Sequence, residues 1–202
     1  MAAVLTNLRT TVIVSMIIAL AYLAAYVLSG AISAGPALWQ GIARWTHVVS
    51  GVMWIGLLWY FNFVQIPNMP NIPDEQKPAI GKVIAPAALF WFRWGAAFTV
   101  LTGLAVAGMR GYTVEVLSLG LLAETYVPQY SFIGIGMWMA LIMAFNVWFV
   151  IWPNQKIALG IVEADAEAKP KAARTAMLFS RTNTLLSFPM LIAMAMAQTV
   201  FG

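Results

Sequence analysis

Residues 132–152, FIGIGMWMALIMAFNVWFVIW, contain no charged side chain and a single amide, Asn146. A helix needs about 20 apolar residues to cross the hydrocarbon core of a bilayer, and this run supplies them. Four other stretches share its character, at about 11–34, 46–65, 87–109 and 184–201. The whole chain is 62% hydrophobic and 9% charged, against roughly 45–50% and 25% in soluble domains. These figures predict an all-α integral membrane protein: one domain over 1–202, an antiparallel bundle of about five transmembrane helices.

The first apolar run is too long for the core of a secretory signal and has no tidy cleavage site, so it reads as a retained helix. The second can begin as early as Pro36, a good first-turn residue. The fifth is short, and Pro189 within it predicts a kink. Basic residues set the orientation. Arg9, Lys77, Lys82, Arg93, Lys156, Lys169, Lys171, Arg174 and Arg181 fall on one side, and Arg44 and Arg110 on the other. Nine against two predicts a cytoplasmic N-terminus and a periplasmic C-terminus in a bacterial inner membrane. The net charge of +4 therefore reflects topology, and nucleic acid is not an expected partner. Cysteine is absent, which excludes disulfides, a thiolate metal site and a CxxCH haem attachment.

Two connecting segments stand out. QIPNMPNIPDEQKPAIGKVIAPAA (65–88) has prolines at 67, 70 and 73, a spacing that predicts an extended, polyproline-like strap. NQKIALGIVEADAEAKPKAARTAMLFSR (154–181) reads as two helical pieces broken near Lys169-Pro170, with Glu163, Asp165 and Glu167 able to pair with Lys171 and Arg174.

Polar residues inside a bilayer are costly and mark candidate sites. His47, the only histidine, lies near the outer end of the second span, a turn after Arg44. Neutral imidazole ligates haem iron, and Gly51 leaves room beside the helix for a flat macrocycle. A second axial ligand from this chain must be a methionine, with Met194 and Met196 at the right level of the fifth helix and Met137 and Met139 of the fourth. The alternative is a histidine that hydrogen-bonds between packed helices. Toward the inner face lie Asn62, Gln65, Arg93, Asn146, Asn154, Gln155, Arg181 and Asn183. These either converge on one amide-rich pocket or satisfy backbone groups freed by Pro153. Arg93, between Trp91 and Trp94, either snorkels among interfacial aromatics or binds an anion. No carboxylate falls within a span, so no acid–base pair or metal-ligand set is visible.

RWTHVVSGVMWIGLLWYFNF (44–63), NVWFVIWPNQKIALG (146–160) and SRTNTLLSFPMLIAMA (180–195) together resemble the membrane domain of bacterial urate hydroxylase, the urate oxidase N-terminal domain family. A weaker likeness links the first stretch to haem-binding protoporphyrinogen oxidase and copper-resistance membrane proteins. The resemblance carries His47, Asn146, Trp152, Pro153, Asn154, Gln155, Arg181 and Asn183 onto family positions. It implies a helical module coupled to electron transfer, in a short form without the cytochrome c domain of long members. The expected role is a subunit of a respiratory or photosynthetic electron-transfer assembly, not catalytic alone. The lipid bilayer, other membrane subunits, and cytochrome c or quinone are the expected partners, and the cofactor is either haem b or none. The alternatives are a urate hydroxylase using haem and a separate cytochrome c, and a stand-alone haem-b membrane protein.

Overall fold

A computed structural model describes residues 2–201. Every regular element among them is helical. Five helices are long and apolar enough to cross a membrane: α1 Leu8–Leu28, α2 Pro36–Asn71, α3 Lys77–Met109, α4 Pro128–Ala158 and α5 Ala168–Val200. The protein is a multi-pass helical membrane protein. Packing divides the chain into one compact unit up to Ile42 and a second from Ala43 onward.

In the first unit, Asn7 caps α1 by accepting a hydrogen bond from the Thr10 amide, which satisfies one of the open donors of a helix start. The Thr11 hydroxyl donates to Val4 O at 2.8 Å and ties α1 to the short helix Ala2–Leu5. α1 stops at Leu28, earlier than the predicted 34, because the chain turns through Gly30 at φ +75°. That left-handed conformation is one glycine adopts without a Cβ penalty.

In the second unit, α2, α3, α4 and α5 run antiparallel to their neighbours in an up-down ring. Trp54 of α2 lies against Gly95 of α3, and His47 against Gly103. Trp94 of α3 meets Trp148 of α4 edge-on at 5.5 Å. Asn146 and Gln129 of α4 hydrogen-bond to α5 at Asn183 and Ala197. Asn62 of α2 reaches Ser180 of α5 and closes the ring. Trp54, Leu58, Phe92, Met143 and Val147 fill its centre and are fully buried.

Three of these helices contain a π-helical segment: Tyr60–Gln65 in α2, Ile80–Ile84 in α3 and Asn146–Ile151 in α4. Each ends two residues before a proline, namely Pro67, Pro86 and Pro153. Proline lacks an N–H, and its ring collides with the carbonyl four residues back. A widened turn just upstream moves that carbonyl aside, so the helix continues instead of breaking. This overturns the predicted polyproline strap: α2 runs through Pro67 to Asn68 and ends in a 3-10 turn, Met69–Asn71. An exposed Lys77–Asp74 ion pair of 2.6 Å staples the short loop that follows, and Lys77 holds the Asp74 carboxyl below its ordinary pKa by hydrogen bonding and then by charge. The break between α4 and α5 also lies elsewhere than predicted. It spans 159–167, with Gly160 at φ +71°, while Pro170 sits harmlessly in the first turn of α5. Pro189 lies inside one continuous 33-residue helix.

Glycines set the closest approaches. A Cβ on Gly134 would stand 2.2 Å from Val116 O, and one on Gly136 2.5 Å from the Ala193 Cβ. The first gap seats the short helix Thr113–Leu117 on α4, where the Trp138 indole N–H donates to Leu117 O at 2.9 Å. The second lets α4 and α5 touch, as small residues do in membrane interfaces. Gly134→Ala and Gly136→Ala should each destabilise the folded protein by about 1–3 kcal/mol through overpacking. Gly56→Ala, where nothing lies within 4 Å, should leave the melting temperature in detergent unchanged or raise it; equal behaviour of all three would contradict this packing.

Candidate functional site: a histidine chamber in the second unit

His47 packs on α3 two turns from the backbone contact of Trp54 with Gly95. Its Nδ1 lies 2.9 Å from Thr99 O. A carbonyl oxygen only accepts, so Nδ1 carries the proton and Nε2 keeps its lone pair. Thr99 is itself fixed, its hydroxyl donating to Gly95 O at 2.7 Å. Gly103 lets the imidazole lie against α3, since a Cβ there would be 2.9 Å from His47 Cε1. Gly95, Thr99 and Gly103 recur every four residues and form the face of α3 that receives α2.

The imidazole borders a half-open chamber of about 340 Å³ lined by α2, α3, α4 and α5, within the ~300–1,000 Å³ range of small-molecule sites. Its walls are mostly aliphatic, with Val48, Val100, Leu104, Ile133, Ala140 and Leu141 among them. Polar groups are few: Arg44 and His47 from α2, Thr99 from α3, Tyr112 from the α3–α4 connection, and Gln198 and Thr199 from α5. Met137 and Met194 bring thioethers to the same space. Arg44 Nε is buried and has no hydrogen-bond partner. A histidine with Nε2 unprotonated, two methionines and an arginine whose Nε lacks a partner therefore line one largely apolar space. Such a set suits a flat, largely apolar group with an electron-poor centre or a proton to donate. Met196 is 44% exposed, and neither it nor Met139 lines the chamber.

The residues expected to form one inner amide pocket separate into pairs. Asn146 donates to Asn183 Oδ1 at 2.8 Å, and Asn183 donates to Met143 O at 2.9 Å, both fully inside the bundle. Asn62 donates to Leu58 O and to Ser180 Oγ, while the Trp59 indole N–H donates to Ser187 Oγ at 3.0 Å. Asn154 bonds within its own helix, to Val150 O. Gln65 keeps a buried, unpartnered Oε1, and Gln155 is half-buried beyond the π turn of α4. Arg93 stacks on Trp152. Arg181 is exposed on α5 and joins none of them. The amides staple helices together. Sequence reading missed Ser180, Ser187 and Gln198, whose helical spacing with Asn183 and Met194 put them on the inward face of α5.

The fold and site define a class: a polytopic helical membrane protein with a histidine chamber between four packed helices. Residues 108–199 match the model of the urate oxidase N-terminal family, and that stretch is similar to it. The match takes in the end of α3, α4 and α5, including Met137 and Met194, and is less than half of the chain. His47 lies outside it. No curated protein and no solved structure matches the chain.

Asn183→Ala should cost about 1–3 kcal/mol, because it strands the Asn146 side-chain amide in a buried site. Arg181→Gln should fall within about 0.5 kcal/mol of wild type. A thermal-denaturation double-mutant cycle over Asn146 and Asn183 checks the pair, and additive losses would contradict a direct bond.

Proposed function

We propose that the protein is a membrane subunit of an electron-transfer assembly, respiratory or photosynthetic, in a bacterial inner membrane, and that the His47 chamber holds its redox group. The observation that carries this reading is the His47–Thr99 hydrogen bond, which leaves Nε2 unprotonated beside an apolar chamber. Metal-ligating histidines are oriented in this way, with the second ring nitrogen donating to a backbone carbonyl. The group implied by the family likeness is haem b, and the donor set fits it. His47, together with Met194 or Met137, would hold it, a donor pairing used for electron transfer. When bound, haem supplies one-electron exchange at its iron. This chain's residues do the rest. Thr99 O fixes the tautomer, Gly103 gives the ring its place, the aliphatic walls offer an apolar surround, and Arg44 would meet an anionic substituent.

A second reading rests on the match over 108–199. In it, the chain is the membrane part of a urate hydroxylase that uses haem and passes electrons to a separate cytochrome c. The stand-alone haem-b reading differs from the first only in needing no partner subunits.

Native purification in mild detergent tests all three, with an absorption spectrum taken on the same fraction. The expected result is co-migration with a large complex and a Soret band that His47→Ala abolishes. A sample without the band, or a band that survives His47→Ala, would overturn the haem assignment. Urate-dependent reduction of added cytochrome c in native membranes would favour the hydroxylase, and a monodisperse haem-containing homo-oligomer the stand-alone protein.

A further inference from the structure

Toward the far end of the bundle from the chamber, a second cluster is left electrically incomplete. Trp152 lies about 22 Å along α4 from Met137, at 1.5 Å per residue. The Arg93 guanidinium of α3 is stacked on its indole, with Cζ 3.3 Å from the ring centroid. Lys156 Nζ, one turn further along α4, is 5.8 Å from the same centroid. Gly81 packs on Leu159 and brings the Lys82 segment of α3 alongside. Two cations thus share one indole where α3 meets α4.

Nothing in the described chain neutralises them. None of the five long helices contains Asp or Glu. Among the described residues, the only ion pair is Lys77–Asp74. Stacking does not satisfy Arg93 either, because a guanidinium on a ring face keeps its N–H donors in plane and free. Arg93 Nη1 is buried and has no hydrogen-bond partner. A buried, unpaired cationic donor is expensive, so an acceptor with negative charge belongs there.

The surroundings identify the acceptor's carrier. One turn deeper, Trp94 and Trp148 meet edge-on, and Trp91, Trp94, Phe145 and Phe149 are exposed on the same two helices. Aromatics at this position mark the boundary between headgroups and acyl chains. We propose that Arg93 and Lys156, framed by Trp152, bind the phosphate of an anionic phospholipid, whose acyl chains lie along the exposed aromatic face of α3 and α4. Basic pockets between membrane helices are known to take such headgroups. The site is independent of the His47 chamber.

Retention of phospholipid, measured by native mass spectrometry of the intact chain from mild detergent, tests the proposal. Wild type should retain phosphatidylglycerol or cardiolipin in preference to phosphatidylcholine. Arg93→Gln and Lys156→Gln should each weaken that retention by about fivefold, the effect of one basic residue on an anionic headgroup. Lys156 makes no ion pair among the described residues, so its variant keeps the fold even if Arg93→Gln does not. Arg181→Gln, which removes an exposed cation from α5, should leave retention unchanged. Equal retention of the two lipid classes, an unaltered preference in Lys156→Gln, or an equal loss in Arg181→Gln would overturn the site. Displacement of the lipid by millimolar inorganic phosphate would show a small-anion site and overturn the lipid assignment.

Discussion

The close crossing of α2 and α3 organises the second unit. Gly95 and Gly103 hold the two backbones near enough for Trp54 to fill one contact and His47 the other. Lipid tails are as apolar as leucine, so no hydrophobic force draws membrane helices together; van der Waals fit and interhelical hydrogen bonds do. At this crossing both act at once. The glycines provide the fit, and the His47–Thr99 bond fixes the rotation of α2 about its axis. That rotation sends Trp54 and Leu58 to the core and turns Asn62 toward Ser180. The same bond decides which imidazole nitrogen is open to the chamber, so one contact serves packing and chemistry together.

Proline is the second constraint. Three helices meet a proline near one end of the bundle, and each absorbs it with a π turn placed just upstream. The local widening re-aims the residues around it. Asn146 opens the α4 segment and Ile151 closes it, next to Trp152, while Gln65 closes that of α2. Pro170 needs no such device because it falls in a first turn, where its missing N–H is already an orphan.

Much of this was legible in the sequence. Apolar run length gave five spans, because a bilayer imposes a length that composition alone satisfies. His47 and Met194 were placed at one level by counting along antiparallel helices, and they do border one chamber. Helix ends depart from the sequence expectation at the prolines: the 65–88 segment is mostly helical, since proline removes one hydrogen bond and a π turn accommodates the rest. Met196 and Arg181 were assigned by depth alone. Depth does not fix azimuth, and each lies on an outward face two residues from an inward one, Met194 and Asn183. The glycine contacts were invisible because small residues reveal an interface only when the opposing helix is known.

The open Nε2 of His47 carries the functional reading, and it can be observed directly. The protein has one histidine, so nitrogen-15 labelling of histidine gives a single, unambiguous pair of ring signals. In cofactor-free protein at neutral pH, Nδ1 should carry the proton and Nε2 should show the shift of an unprotonated nitrogen, with exchange at Nδ1–H slowed by its bond to Thr99 O. A ring protonated at Nε2 alone would contradict the bond to Thr99 O and, with it, the chamber as a ligand site.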